Sequence, residues 1–191
     1  MAKRKTGDKL GDIRRATIAE VVERGSSAAS VNAIAARAGL AVGTVYRYFE
    51  NKDQLLRAVY LASKTELHTA MMQAAAPCSS HKDKIRAMWL AVLDYAQEAP
   101  QAFLFSEAVI NDMILTDADR AEIAAMAAES RALIGAAVSE GVLRQGNTQA
   151  IVTVLAAPAL QLAKAGALSG VPPDPSHAEE IFDLCWRGVA S

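Results

Sequence analysis

The sequence predicts an all-α fold of about nine helices. Apolar residues recur at helical spacing along nearly every segment, whereas no segment alternates apolar and polar residues as a half-buried strand does. The chain has 191 residues, of which 52% are hydrophobic and 21% charged, so it has the length and composition to bury a substantial core. Periodicity and composition together therefore predict the fold class.

The N-terminal helices are predicted from residues that start and stop helices. The first helix is expected over about residues 8–24, because Gly25 ends its apolar stripe. A second, short helix follows the N-cap Ser30 and stops at Gly39. A third short helix is predicted over about residues 42–48.

The later helices are predicted from capping residues and prolines. Asn51 is expected to cap a long fourth helix. Ser80, Thr116 and Ser176 each precede an acidic residue by three positions, which is the spacing of a capping box. Pro100 fits the first turn of a further helix.

Charge is distributed unevenly along the chain. Residues 1–64 contain 12 basic and 6 acidic side chains, whereas residues 65–191 contain 8 and 15. A basic N-terminal part suits phosphate binding, although a chance drift in surface charge gives the same asymmetry. Lys3, Arg4 and Lys5 are interpreted either as a flexible arm that reaches DNA or as a solvated tail.

Several classes of protein are not supported by the sequence. No apolar segment follows the basic N-terminus and no run of about 18 strongly apolar residues occurs, so a cytoplasmic protein without a membrane span is expected. Cys78 and Cys185 have no pairing motif. The three histidines are scattered, and the usual catalytic and metal-binding motifs are missing, so we expect no enzyme, cofactor or metal site.

The segment over residues 30–56, SVNAIAARAGLAVGTVYRYFENKDQLL, contains the functional motif. Its two short helices are separated by Gly39-Leu40-Ala41, a turn of the length that a helix-turn-helix requires. The second helix presents hydroxyls, a guanidinium and apolar edges, which suit a DNA groove. The residues that it presents are Val42, Gly43, Thr44, Tyr46, Arg47 and Tyr48.

This segment resembles the tetracycline-repressor (TetR) family of bacterial regulators. The matching residues are Ile34, Ala35, Ala38, Gly39, Leu40, Gly43, Thr44, Tyr46, Phe49, Lys52 and Leu55. The resemblance covers about residues 10–57, and the remainder is similar only in being all-helical and of suitable length. It implies a helix-turn-helix DNA-binding domain at residues 1–57 and a helical effector-binding and dimerisation domain at residues 58–191.

The resemblance also implies roles for individual residues. Val42 and Gly43 would open the recognition helix against the bases, with Asn32 reaching in from the preceding helix. Sugar–phosphate contacts would fall to Thr44, Tyr46, Tyr48 and the ammonium of Lys52. Ala41 departs from the family, in which Ser is common, so the recognition helix is expected to lack a side-chain cap.

The last two helices, at about residues 148–168 and 176–190, would pair with those of a second copy in a four-helix bundle. The interface residues expected from this pairing are Leu155, Ala159, Leu162, Ile181, Leu184 and Cys185. The alternative for these apolar faces is the core of a single chain.

A ligand site is predicted between the fourth helix and the helices that contain Trp89 and Phe103. Phe103, Glu107 and Asn111 share a helix face, and polar groups on a buried apolar face require a partner. The full expected set is His68, Met71, Trp89, Phe103, Glu107 and Asn111, each of which can instead be an ordinary core or surface residue.

Together these features predict a sequence-specific transcriptional regulator. We expect a homodimeric repressor that is released from palindromic double-stranded DNA by a small, mostly apolar effector. One alternative is a DNA-bound regulator that is controlled by a protein partner. The other is a helical enzyme with a helix-turn-helix-like hairpin, because catalytic groups can assemble from distant positions.

Overall fold

A computed structural model describes residues 8–109 and 115–191. Within this part of the chain there are nine α-helices, and the only β feature is an isolated bridge between Leu143 and Ala190. The helices are α1 (Lys9–Arg24), α2 (Val31–Ala38), α3 (Val42–Tyr46), α4 (Lys52–Ala75), α5 (His81–Glu98), α6 (Pro100–Ala108), α7 (Asp117–Ser139), α8 (Thr148–Ser169) and α9 (Pro175–Val189). The predicted fold class is confirmed.

The first two helices begin and end at the residues that the sequence indicated. The Asp8 carboxylate accepts a hydrogen bond from the Gly11 amide (2.8 Å), and the Ser30 hydroxyl accepts one from the Ala33 amide (3.2 Å). Gly39 ends α2 at φ 67°, a left-handed conformation that glycine adopts without a steric penalty. These local contacts fix where the helices stop, and so they fix the turn that follows α2.

Two predicted helix boundaries were wrong. α3 ends at Tyr46, two residues earlier than expected, and Ala41 provides no side-chain cap, as expected. α9 is capped by Asp174, which accepts from the His177 amide, and not by Ser176. The reason is Pro175, because a proline suits the first helical position and holds the residue before it in an extended conformation.

The helices share one continuous hydrophobic core. α1 packs on α2, α4 and α6, while α5 lies between α4 and α8, and α9 packs on α8. Fully buried side chains of the core include Ile13, Leu55, Phe105 and Phe182, which lie on four different helices. The N-terminal helices are therefore joined to the rest by packing, and α4 runs through the domain boundary predicted at residue 57.

Among the described helices, only α8 is long and apolar enough to cross a membrane, and this rests on length and composition alone. Its buried side chains, Ile151, Leu155, Ala159 and Ala163, form a stripe with a four-residue repeat that packs into the core. Much of the remaining surface of α8 is apolar and exposed, which makes this helix important for the assembly considered below.

Candidate functional site

α2 and α3 form a compact helix-turn-helix. Ile34, Ala35 and Ala38 of α2 are buried, and Val45 of α3 is 1% exposed. Leu40, in the turn, is half-buried against the same core. Small residues on α2 and a buried valine on α3 thus hold α3 against α2 while its opposite face stays accessible.

The accessible face of α3 and the start of α2 carry the predicted DNA-contact residues, which we call the α3 surface. Tyr46 is 52% exposed and Tyr48 43% exposed, so two large aromatic rings lie in solvent. The exposed or half-exposed members of the surface are Asn32, Val42, Gly43, Thr44, Tyr46, Arg47 and Tyr48. Aromatic rings held in water beside an unpaired guanidinium are typical of a binding surface.

Gly43 lies exposed in the first turn of α3. A β-carbon added at this position would meet no atom within 4 Å, so packing within the chain does not require glycine there. A bare backbone at an exposed helix start permits close approach by another molecule. The absence of a side chain at position 43 is therefore better explained by close contact with a binding partner than by packing within the chain.

Lys52 does not have the surroundings that the resemblance implied. Its ammonium donates hydrogen bonds to the carbonyl oxygens of Ser26 (2.9 Å), Ser27 (3.2 Å) and Ala29 (3.0 Å). An ammonium has three donors, and all three are used by the loop between α1 and α2. In the free protein Lys52 therefore has a structural role, and its phosphate contact stays a prediction.

The other two basic side chains of the motif, Arg37 and Arg47, differ from each other in whether their charge is paired within the protein. Arg37 is bound to Glu23 and to the buried carboxylate of Glu20, so its charge serves the packing of α2 on α1. Arg47 is exposed and has no acidic or carbonyl partner among the described residues. Within the helix-turn-helix segment, Arg47 is thus the cation that is available for a phosphate.

Known DNA-binding proteins share the sequence pattern of this helix-turn-helix. Residues 13–59, which include the whole helix-turn-helix, match the family model described as bacterial regulatory proteins of the tetR family. Residues 13–59 thus form a DNA-binding domain of the tetR type. The TetR-family resemblance of the sequence is thereby confirmed, and the chain is a DNA-binding transcription regulator.

The whole fold of this regulator is similar to that of several solved structures. A TetR family transcription regulator from Marinobacter aquaeolei VT8 has a TM-score of 0.87 at 24% identity, with 96% of each chain covered. A putative TetR-family regulator from Vibrio parahaemolyticus has a TM-score of 0.79 at 24% identity, with 96% of this chain and all of that chain covered. The transcriptional regulator FadR from Bacillus subtilis, in complex with stearoyl-CoA, has a TM-score of 0.76 at 14% identity, with coverages of 94% and 98%. The C-terminal helices thus share the fold of these proteins.

A cavity of about 400 Å³ lies among α4, α5, α7 and α8. This volume is within the range of small-molecule sites. Its apolar walls include Leu67, Met71, Ile85, Met88, Trp89, Val92, Ile134, Val152, Leu155 and Leu160. Its polar lining residues are Lys64, Ser130, Arg131 and Gln149. The cavity is suited to a mostly apolar molecule with few polar groups.

Two of the six predicted ligand residues, Met71 and Trp89, line this cavity. Trp89 is fixed there because its indole N–H donates to the Leu155 carbonyl (2.9 Å) and its ring meets Phe182 edge-on at 5.8 Å between centroids. The tryptophan is therefore a rigid part of the wall, with its polar atom already bonded to α8.

Four of the predicted ligand residues are not brought to the cavity wall by the described structure. Phe103 is 2% exposed in the core, and the imidazole of His68 faces α7, with Nε2 2.8 Å from Glu129 Oε2. Glu107 approaches the ammonium of Lys164 at 3.9 Å. Asn111 lies outside the described residues. Sequence reasoning missed the lining residues of α7 and α8 altogether and most of those on α4 and α5, such as Lys64 and Ile85, because no periodic signal distinguished cavity-facing positions.

The predicted dimer residues fall into two groups, those that are buried within the single chain and those that remain accessible. Leu155 and Ala159 are 3% and 1% exposed within the single chain, so their assignment to an interface is corrected to intrachain core. Leu184 is 59% exposed. Leu162, Ile181 and Cys185 are half-buried. The buried stripe of α8 packs into the core of the same chain. The sequence pattern alone did not show which apolar face of α8 is buried in that core and which is exposed.

A polar cluster joins α1 to α4 and α5, and it consists of Arg14, Ser63, Glu66 and Tyr95. The Arg14 guanidinium donates twice to Glu66 and also to the Ser63 hydroxyl (3.3 Å), while the Tyr95 hydroxyl donates to Glu66 (3.3 Å). The hydrogen bonds and charge of Arg14 lower the pKa of Glu66, whereas burial raises the pKa of Tyr95 to about 12. Tyr95 therefore stays protonated and Glu66 ionised at neutral pH.

Among residues 8–109 and 115–191, no group of three or more His, Cys, Asp and Glu side chains is arranged to hold a metal ion. Two of the three histidines each pair with one glutamate, His68 with Glu129 at 2.8 Å and His81 with Glu140 at 2.9 Å.

Proposed function

We propose that the regulator is a homodimeric repressor that leaves a palindromic operator when a mostly apolar small molecule fills the cavity. One observation carries this proposal: α4 touches both functional regions. Lys52, at its start, binds the loop that precedes α2, while Lys64, Leu67 and Met71, further along, line the cavity. A ligand against α4 can therefore bias the position of the helix-turn-helix.

The DNA contacts are proposed for the α3 surface. Val42 and Gly43, with Asn32 from α2, face the base edges, and the hydroxyls of Thr44, Tyr46 and Tyr48 contact the sugar–phosphate backbone. Arg47 supplies the phosphate charge that the resemblance assigned to Lys52. This division assigns DNA binding to residues 1–57 and effector binding with dimerisation to residues 58–191.

The dimer is proposed to form through the outer faces of α8 and α9. Exposed residues without charge recur on α8 at positions 154, 157, 161, 165 and 168, of which Val154 is 45% and Leu168 67% exposed. Leu184 extends this apolar face onto α9. A largely apolar, uncharged surface on two adjacent helices is costly in water and is covered when a second copy packs against it by two-fold symmetry.

Release from DNA follows from the length of α4. At about 1.5 Å per residue, Lys52 and Met71 are about 28 Å apart along the helix, so a small tilt at the cavity displaces the DNA-binding end. Two recognition helices must lie about 34–36 Å apart to read successive major grooves. A ligand that binds better to a dimer with another spacing lowers operator affinity by that difference in binding free energy.

The ligand chemistry of a protein with the same fold supports an apolar effector. FadR from Bacillus subtilis was solved with stearoyl-CoA, whose acyl chain is apolar. The cavity also favours a small molecule over control by a protein partner, because it is a mostly apolar pocket enclosed by the walls of four helices. The regulator thus acts by binding and not by catalysis, in the cytoplasm where the chromosomal operator lies.

The test begins by selecting bound sequences from random DNA with the full-length protein and then titrating the complex with apolar compounds in a gel-retardation assay. We expect a palindromic site, one dimer per site, and release by at least one compound that perturbs tryptophan fluorescence in the wild type but not in a Trp89→Phe variant. Failure to enrich any sequence would overturn the DNA-binding part. If compounds bind the cavity but none changes operator affinity, the repressor-release mechanism is wrong.

A further inference from the structure

The described wall of the cavity carries positive charge and no negative charge. Lys64 of α4 and Arg131 of α7 both line it, and the described lining residues include no carboxylate. The remaining polar lining residues, Ser130 and Gln149, are neutral. An otherwise apolar wall with two cations favours a ligand that carries negative charge.

Lys64 has no direct counter-ion within the part of the chain that the structure describes. Among the described residues no carboxylate lies within the 4 Å of an ion pair with its ammonium, and the acidic group that acts on it from further away is Glu107. Burial lowers the pKa of Lys64, and the charge of Glu107 opposes that effect only in part. The ammonium lies 5.5 Å from the centroid of the Tyr60 ring, which offers a cation–π contact but no hydrogen-bond acceptor of the strength of a carboxylate.

Glu107 does not satisfy Lys64 because it is shared with another cation. Its carboxylate lies 3.9 Å from the ammonium of Lys164, on α8. A desolvated ammonium without a bonded counter-ion is unfavourable, and an anion that enters the cavity relieves that cost. Arg131 is exposed, so water already solvates its charge and it gains less from the same anion.

We propose that the effector is an amphiphilic monocarboxylate whose acid group pairs with Lys64 and whose apolar part lies against Trp89, Ile85 and Val152. This inference rests on the proposed function and specifies the ligand class of the same cavity. A single half-buried cation matches a monoanion better than a dianion, which would retain an uncompensated charge in an apolar site. A neutral apolar molecule leaves Lys64 unpaired, and a cationic one adds repulsion.

The test uses three amphiphiles with the same alkyl chain: dodecanoate, dodecanol and dodecyltrimethylammonium. Their binding to the full-length protein is measured by isothermal titration calorimetry below the concentrations at which they form micelles. We expect dodecanoate to bind about 10- to 100-fold more tightly than dodecanol, because a hydrogen-bonded charge pair is made only by the acid. Dodecyltrimethylammonium should bind most weakly.

Variants assign the preference to one side chain. Lys64→Met should abolish the preference for dodecanoate while dodecanol binds at least as well as before, and Lys64→Gln should lose the preference too. Arg131→Met should reduce the preference less than Lys64→Met. Lys84→Met, on α5 and outside the cavity wall, is the matched control and should leave all three affinities unchanged. Thermal unfolding of each variant checks that it is folded.

Equal affinities for dodecanoate and dodecanol, no binding of dodecanoate, or a preference that survives in both Lys64 variants would each overturn this inference. Operator release is measured separately with the same compounds. If dodecanoate binds through Lys64 without releasing DNA, the proposed release mechanism fails and the ligand class stands. If a neutral compound releases DNA from wild type and from Lys64→Met alike, the ligand class fails and the release mechanism stands.

Discussion

Gly43 allows the stability of the fold to be separated from contact with DNA. Because nothing in the chain lies within 4 Å of an added β-carbon, Gly43→Ala should keep or raise stability, by up to about 1 kcal/mol, since alanine is the better helix former. The same methyl group would project toward the DNA, so operator affinity should fall. Urea unfolding and fluorescence anisotropy with labelled operator measure the two effects.

The control for this substitution is Gly39→Ala. Gly39 has φ 67°, so an added side chain should destabilise the protein by about 1–2 kcal/mol through backbone strain. If Gly43→Ala retains full operator affinity, the close approach of DNA to the start of α3 is wrong.

Arg47 and Lys52 are both basic and lie five residues apart, yet their surroundings predict opposite effects. Arg47→Met removes an exposed, unpaired charge, so it should flatten the dependence of log affinity on log salt by about one unit per protomer with little change in stability. Lys52→Met removes three hydrogen bonds to the loop before α2 and should lower the free energy of unfolding by about 1–3 kcal/mol.

Salt titrations of operator binding and urea unfolding of both variants distinguish these roles. A flattened salt dependence for Lys52→Met, without loss of stability, would restore the phosphate contact that the family resemblance implied. An unchanged salt dependence for Arg47→Met would show that Arg47 makes no phosphate contact with the operator.

The polar cluster of Arg14, Ser63, Glu66 and Tyr95 connects α1 to α4 and α5, and its contribution to stability should depend on pH. Arg14 lowers the folded-state pKa of Glu66, so the unfolded chain binds a proton at higher pH than the folded one. The stabilisation is therefore complete above the ordinary glutamate pKa of about 4.3 and is lost as pH falls through the lower, folded pKa. Solvent screens this half-exposed pair, so we expect only about 0.5–1 kcal/mol at neutral pH.

Glu66→Gln tests this linkage. The variant should be less stable than wild type at pH 7, and the difference should shrink toward zero as the pH approaches 3, as measured by urea unfolding at several pH values. Glu98→Gln, an exposed position on α5, is the matched control and should show a small difference throughout. A deficit for Glu66→Gln that stays constant with pH would contradict the ion-pair account.

Assembly of the whole molecule should depend on the exposed apolar face of α8 and α9. Leu184→Glu places a charge where the proposed dimer is desolvated, so we expect the dimer dissociation constant to rise at least about tenfold. Sedimentation velocity over a range of protein concentrations measures this change. Leu10→Glu is the control, because Leu10 on α1 is 51% exposed and lies outside the proposed interface. An equally stable Leu184→Glu dimer would place the interface elsewhere.

The sequence by itself determined the helices and the DNA-binding motif. Capping hydrogen bonds at Ser30, Asn51 and Thr116, and the left-handed stop at Gly39, involve residues within about four positions of one another. Such local contacts can be recognised from spacing alone. The helix-turn-helix is likewise contained in fewer than 30 consecutive residues, so its order of small, aromatic and basic positions was sufficient to indicate its function.

Only the tertiary structure decided which apolar faces were core, cavity or exposed surface. α8 is apolar on several sides, and its periodicity did not show that Leu155 is buried while Val154 is exposed. The role of Lys52 and the place of Lys64 in the cavity wall depend on groups far away in the chain, such as the carbonyl of Ser26 and the helix that contains Arg131. Local propensity determines where a helix forms. The helices that pack against it lie far away in the sequence, so no single segment encodes that packing.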